Sequence, residues 1–446
     1  MKNLKLLVVV IVVIAMTATT GILASCKAAE PEVIIETVVE TVTETVEVEA
    51  AAVISEERPD ALDGNPVSPA DFPVELLPGI DEIGVKPLKQ YKIAFSNGDM
   101  TDNWRLVFVQ DFEKWAAAYR EEFGVEYIWT NSGSDVIKQI SDIESLLSLK
   151  PDILIVAPME DEPLEGTVDL CNELGIPLII VDRPFLNKEP GPDSMYKMAI
   201  TQDFYAQGVI QGKMVVDYLT NKYGEPKGNV IEMVGLLGAS PTVLRSQGFN
   251  LVLDQYPDIR ITDSVEVEWS RSIAYEKMED FLQIYPKNSI DVVQGAGDGD
   301  VMGAIEAIKA TGRTEILPGV FGKDGQLVYY EAMLVEEAAG TSETSPYYGM
   351  IAFEYAIRFL NGEFDGKDYQ STVMLPTRYW DLDPDRLDIL RTQVDYLIEN
   401  GLEFMPVEAG GFDQLTMDIS DFYPVNYLED PSVLDVEPFT TDEPLN

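Results

Sequence analysis

Histidine is absent from this 446-residue chain, and cysteine occurs only as Cys26 and Cys171. The first absence removes Ser-His-Asp and Cys-His catalysis, the commonest zinc sites and any imidazole pH switch, leaving carboxylate or lysine chemistry. The second leaves Cys171, in Asp169-Leu170-Cys171-Asn172-Glu173-Leu174, on a segment of helical pattern without a partner thiol. It reads as a buried, inert side chain. Positive charge is also scarce: 31 Lys and Arg against 78 Asp and Glu, a net charge of -47. That excludes nucleic acid as a partner, because phosphate binding needs concentrated Lys and Arg.

The N-terminus carries Lys2 and Lys5, an apolar run from Leu6 to Met16, and then Leu23-Ala24-Ser25-Cys26. A cationic start, an apolar stretch of secretory length and small residues before a cysteine match a lipoprotein signal over 1–25, cut so that Cys26 is acylated. The mature chain is expected outside the cytoplasm, lipid-anchored at the periplasm or cell surface. A transmembrane anchor fits less well, since Thr17, Thr19 and Thr20 dilute the run and no basic stop-transfer cluster follows.

From Glu36 the chain repeats Glu-Thr-Val-x, with like charges at Glu36, Glu40 and Glu44 that oppose a helix. A short coil through Val38, Val42 and Val46 is the alternative. Pro59, Pro66, Pro69, Pro73, Pro78 and Pro87 continue the segment, so 26–88 reads as an acidic low-complexity tether and folding begins near Lys89. After Asn400 there are 11 acidic residues and no basic ones, so the excess charge at the two ends acts mainly to keep the chain soluble.

Between these ends, β-branched and aromatic runs alternate with segments of helical period. Strands are expected at Tyr91–Phe95, Val125–Trp129, Ile153–Ala157, Leu178–Val181, Met198–Thr201, Val230–Val234, Ser264–Val267, Ile290–Gln294 and Gly319–Phe321. Helices fall between them, one starting at Ser134 as N-cap and stopping at Lys150-Pro151. The alternation predicts parallel strands joined by crossover helices. So many strands predict two similar doubly wound α/β lobes rather than one wide sheet.

In such lobes ligands bind beyond the carboxyl ends of the strands. Those positions hold Asn103, Trp104 and Arg105 after the first strand, Asp182 and Arg183 after the fourth, and Arg245 in the helix after the sixth. Trp269 follows the seventh, Asp298 the eighth and Asp324 the ninth. Indole faces stacked on C–H surfaces, with Asp and Arg hydrogen-bonded to hydroxyls, suit a dry site for a small sugar. Taken singly, an Asp after a strand is as readily a helix cap, and an Arg a surface charge.

The segments Ile179-Ile180-Val181-Asp182-Arg183-Pro184, Leu244-Arg245-Ser246-Gln247-Gly248-Phe249 and Gly297-Asp298-Gly299-Asp300-Val301-Met302-Gly303-Ala304 resemble the ribose/galactose-type sugar-binding proteins of ABC importers, over about Lys89 to Leu375. The resemblance implies the periplasmic binding protein-like I fold: two Rossmann-like lobes joined by a three-strand hinge, closing on a monosaccharide. It puts the first lobe at 89–202 plus 344–373, the second at 203–343 plus 374–400, and an acidic extension at 401–446. It also implies that Trp104 stacks on the ligand, that Asp182 and Arg183 bind its hydroxyls, and that Arg245, Trp269, Asp298 and Asp324 are the second lobe's counterparts. Glu343 is added where the chain crosses between lobes. The implied function is a non-enzymatic solute receptor for a monosaccharide or sugar-like ligand, without cofactor or metal, that delivers its ligand to an ABC transporter permease.

Two departures from the family pattern bear on the ligand. Trp104-Arg105 stands where ribose binders have two phenylalanines, and Gly297-Asp298 where they have Asn-Asp, so ribose itself is not implied. The alternatives are a sugar-sensing receptor feeding a sensor kinase or chemoreceptor, and an extracellular glycosidase using carboxylates such as Asp298 and Asp324. Two motifs are set aside. In Gly295-Ala296-Gly297-Asp298-Gly299, Asp300 occupies the third glycine's position of a nucleotide fingerprint and would repel a pyrophosphate. Asp381, Asp383 and Asp385 imitate a calcium loop, but Arg386 and Thr392 stand where glycine and glutamate are needed. Asp383 is expected to cap a helix instead.

Overall fold

Runs with no polar residue in them, such as Ile153–Ala157, suit strands covered on both faces. The computed structural model describes residues 83–375 and 377–405, and there such runs form β3 (Ile153–Ala157) and all of β4 (Leu178–Asp182) but its terminal aspartate, both buried at every position. Cys26, the leader 1–25, most of the tether and the extension beyond Met405 lie outside the described residues.

The first sheet adds β1 (Lys92–Asn97), β2 (Glu126–Asn131), β5 (Tyr196–Gln202) and β11 (Thr372–Leu375), in the order β2-β1-β3-β4-β5-β11. All of its pairings are parallel. The second sheet comprises β6 (Gly228–Val234), β7 (Ile259–Glu266), β8 (Val292–Gln294), β9 (Val320–Asp324), β10 (Gly340–Glu343) and β12 (Tyr379–Trp380), in the order β7-β6-β8-β9-β10-β12. It is parallel except for the antiparallel β10–β12 pair. The two doubly wound α/β sheets are those the alternation predicts, and each has the switch in strand order beside which ligands bind.

Helices cover both faces of each sheet. In the first lobe α1 (Asn103–Phe123) and α9 (Gly349–Leu360) enclose an aromatic core in which Phe95 stacks on Phe112 at 4.4 Å. On the other face lie α2 (Val136–Ser148) and α3 (Gly166–Leu174), with Cys171 wholly buried and its thiol pushed up to about 12 by that burial. The second lobe is covered by α4 (Phe204–Tyr223) and α5 (Ser240–Leu253) on one face. On the other are α6 (Arg271–Ile284), α7 (Asp298–Ala310), α8 (Leu327–Leu334) and α10 (Pro384–Asn400). The chain passes between lobes three times: from β5 into α4, from β10 into α9, and from β11 into β12.

Two local expectations change. Asp135, not Ser134, caps α2, accepting from Lys138 N at 3.0 Å. Ser134 follows Gly133 in the left-handed region (φ 66°) and so cannot take the extended backbone a cap needs. The strands missing from the sequence reading, β10, β11 and β12, have four residues or fewer and lie at the crossings, too short for periodicity to show. Asp383 does cap α10, accepting from Asp385 N and Arg386 N, with Pro384 in the first turn. Beyond that helix, Leu402 and Met405 join the second lobe's core. Among the described residues no helix is long and apolar enough to cross a membrane.

The contact of α4 with α5 aims a polar residue at the space between the lobes. A Cβ on Gly208 would lie 2.1 Å from the Arg245 carbonyl oxygen, and one on Gly248 2.2 Å from that of Tyr205. The helices therefore meet backbone to backbone, which seats Arg245 against the crossing strands. Gly248→Ala must push α4 and α5 apart, at a cost of about 1–3 kcal/mol in denaturant unfolding. A variant as stable as the parent would show that this close approach is not needed.

Candidate functional site

The residues that end the strands converge between the lobes. A cavity of about 350 Å³ is lined by Asp102, Trp104, Arg105, Asp182 and Arg183 from the first lobe. Phe204, Pro241, Arg245, Trp269 and Asp324 line it from the second, and Thr344 from a crossing. It is continuous, through Asp102, Trp104, Trp269 and Asp324, with an outer cleft of about 700 Å³ that also touches Asn103, Gly297, Asp300, Gln326 and Phe404.

Unusual backbone sets several of these directions. Asp182 (φ 68°), Trp269 (φ 57°) and Asp324 (φ 107°) all follow or end strands with positive φ, which is rare for a bulky residue such as Trp. Such conformations cost about 1–3 kcal/mol each and persist where surrounding structure imposes them, often at ligand sites.

On the first-lobe side the charges form a buried cage. Arg105 Nη2 donates to Asp182 Oδ2 at 2.5 Å, and Arg105 Nε lies 3.9 Å from Asp99 Oδ2. Arg183 reaches Asp182 and Asp99 at 3.5 Å each and donates from Nη1 to the Met159 carbonyl at 2.8 Å. Burial alone would raise the Asp99 carboxyl, but Arg105 and Arg183 outweigh it and hold it below its ordinary value. The Arg183 guanidinium also lies 4.6 Å from the centre of the Trp269 ring, a cation–π contact that joins the lobes. Trp104 donates from Nε1 to the Thr344 carbonyl at 2.6 Å and is backed by Phe108 at 5.4 Å.

On the second-lobe side Arg245 donates to Gln207 Oε1 at 2.8 Å, to the Ala296 carbonyl at 3.1 Å and to Thr344 Oγ1 at 3.0 Å. It lies 3.6 Å from Asp324 and stacks on Phe204 at 5.0 Å. Burial pushes the carboxyls facing the cleft upward: Asp102 to about 6, helped by neighbouring Asp99; Asp300 to about 7; and Asp324 to about 8, against the opposing pull of Arg245. Lys323, buried behind them, falls to about 7 through burial and the nearby Arg245. The site thus offers fixed guanidinium donors beside carboxyls that can accept or, when protonated, donate. That alternation suits a neutral ligand rich in hydroxyls.

Of the residues expected from sequence, Trp104, Arg105, Asp182, Arg183, Arg245, Trp269 and Asp324 line the inner cavity, and Asn103 lines the outer cleft. Asp298 and Glu343 line neither. Asp298 is fully buried and accepts from Gln326 N at 2.7 Å and Thr341 Oγ1 at 2.9 Å, pinning the 324–326 loop from behind. Glu343 accepts from Tyr330 OH at 2.6 Å, Trp380 Nε1 at 2.9 Å and Gln393 Nε2 at 2.8 Å, and pairs with Arg378, so it ties α8, β12 and α10 together inside the second lobe. Chain alternation places the next residue, Thr344, at the cavity instead. Asp102, Asp99, Asp300, Phe204 and Gln207 escaped the sequence reading. Asp102 and Asp300 could have been found, since each sits within two residues of one that was named. Among the described residues no group of metal-ligating side chains is assembled.

This arrangement defines a two-lobed α/β protein with a polar, aromatic cleft between the lobes. Residues 93–364 match the family model described as "Periplasmic binding protein domain", and the chain belongs to that family. It is similar to a xylitol-binding protein of Mycolicibacterium smegmatis, 29% identical over 222 residues. That match covers 49% of this chain and 58% of that protein, less than two thirds of its length. The galactofuranose-binding protein of Escherichia coli K12 is 30% identical over 266 residues, 59% of this chain and 80% of that one. The binding component of an arabinose ABC transporter from Shewanella sp. ANA-3, solved with α- and β-L-arabinofuranose, superposes with a TM-score of 0.58 at 25% identity, covering 69% and 97% of the two chains.

Asp300 supplies a pH test. Its folded carboxyl ionises near pH 7 against an ordinary 3.8, so between these values the folded chain holds more protons than the unfolded one and stability falls as pH rises. Asp300→Asn cannot ionise. Its stability relative to the parent should therefore grow from about pH 4 to pH 7, by up to about 4 kcal/mol at about 1.4 kcal/mol per pH unit. Denaturant unfolding at pH 4.5 and 7.5 measures this, and a gap that does not change with pH would contradict it.

Proposed function

We propose that this chain captures a monosaccharide or a sugar-like polyol between its lobes and presents the closed form to the permease of an ABC importer, with Cys26 as its lipid anchor outside the cytoplasm. The observation that carries this reading is the single cavity in which Trp104, Asp182 and Arg183 from one lobe face Trp269, Arg245 and Asp324 from the other. Indole faces can cover the C–H surfaces of a ring while charged groups take its hydroxyls.

The relatives add to this. Proteins named for xylitol, galactofuranose and L-arabinofuranose share ligands that are small, uncharged and densely hydroxylated. The carboxylate glycosidase is disfavoured, because Asp298 is turned behind the 324–326 loop and cannot flank a bond together with Asp324. Ligand binding drives closure to the extent that it favours the closed state, in which the Arg183–Trp269 contact between lobes would hold the ligand in.

Thermal unfolding in the presence of L-arabinose, D-galactose, D-ribose and xylitol tests the reading, because a ligand bound only by the folded chain raises the melting temperature. At least one should raise it in proportion to log concentration; no response to any of them would sink the proposal. Asp182→Ala strands the buried Arg105 and Arg183 and should weaken binding of that ligand by about 2–4 kcal/mol, roughly 30- to 1000-fold in Kd by calorimetry. Unchanged affinity would remove Asp182 from the site.

A further inference from the structure

The family match ends at residue 364, yet the chain continues in order to Met405, and its last described residues return to the cleft. They are held by the second lobe. Leu390, Val394, Leu397, Leu402 and Met405 sit in its core, and the Glu403 carbonyl accepts from Leu327 N at 2.9 Å. Ser345, in a crossing, donates its hydroxyl to the Met405 carbonyl at 3.2 Å.

Phe404 faces the other way. It is 1% exposed and clusters with Val107 of α1 and Tyr347 of the crossing, a cluster against which Trp104 also packs. It is also a wall of the outer cleft, beside Trp104 and Leu106. The indole of Trp104 is thus held by Phe108 behind it, by the Thr344 carbonyl at its Nε1, and by a cluster that includes Phe404, from a segment rooted in the opposite lobe. An apolar ring in this position offers no hydrogen bond to a hydroxyl and fills space that a substituent on the ligand would need.

We propose that Phe404 is a specificity-determining residue of the cleft: it closes the outer cleft beside Trp104 and so restricts the site to a single, unsubstituted sugar or polyol unit. The inference rests on the sugar-receptor reading above and adds to it a residue outside the family-matched region. Removing the ring opens the outer cleft beside Trp104, where a substituent on a bound unit would find room.

The test is calorimetric, on the purified protein, with L-arabinose, D-galactose, D-ribose, xylitol, the methyl glycosides of the three sugars and a mono-O-methyl ether of xylitol. The wild type should bind at least one parent compound and prefer it over its methyl derivative by about 100-fold or more. Phe404→Ala should narrow that preference at least tenfold, and Phe404→Leu should narrow it less. Val107→Ala loosens the same packing but lies outside the cleft wall, so it should leave the ratio as in the wild type even if it lowers the melting temperature. Should Phe404→Ala not fold, Phe404→Leu decides by the same ratio. A ratio unchanged in the folded Phe404 variants, or one moved equally by Val107→Ala, overturns the inference while the receptor reading stands. A wild type that binds none of the parent compounds overturns both.

Discussion

Everything at the centre of this protein depends on keeping guanidinium groups ionised where water is nearly absent. Arg105, Arg183 and Arg245 are 2%, 5% and 7% exposed. A guanidinium does not shed its proton in a protein, so each must be met by carboxylates and carbonyls or remain prohibitively costly. Asp99 and Asp182 do this for the first two, while Asp324, the Ala296 carbonyl and Thr344 do it for the third. Buried ion pairs of this kind add little to stability compared with apolar packing. Their presence in the cleft makes sense as preorganised polarity: donors and acceptors already fixed in space lose little freedom when a hydroxylated ligand takes the place of water.

The scaffold meets this demand by rigid means. Parallel strands covered on both faces place their carboxyl ends in a fixed row, and left-handed turns at Asp182, Trp269 and Asp324 redirect the side chains that follow. Arg245 is seated by helices that touch backbone to backbone at Gly208 and Gly248, a contact that leaves it little room to drift. The lobes are linked by three crossings, and Arg183 on Trp269 and Trp104 on the Thr344 carbonyl tie the first lobe to the second and to a crossing.

Legibility in the sequence followed the strength of local signals. Long runs of strand or helix period, from Tyr91 to Phe321, announced both lobes, and polar or aromatic residues directly behind them announced most of the cleft. The reading failed where the signal was short or the side chain's direction depended on neighbours. Strands β10 and β12 have four and two residues, too few for a period to emerge. Asp298 and Asp300 stand two apart in one loop and on paper are equivalent. The first turns inward to the Gln326 amide and the second lines the outer cleft, a difference made by the 324–326 loop and Thr341, which lie far along the chain. Glu343 and Thr344 differ by one step of strand alternation, and that step sends one into the lobe and the other into the cavity.

By itself, then, the sequence determined the class of fold, the absence of histidine chemistry and the row of strand ends where a ligand would be met, because these follow from composition and periodicity along the chain. Tertiary structure alone decided which carboxylates face the cleft, how three arginines share them, and that Phe404 comes back to stand beside Trp104. Those outcomes turn on backbone handedness at single residues and on contacts between segments up to 300 positions apart, and neither leaves a mark in local sequence.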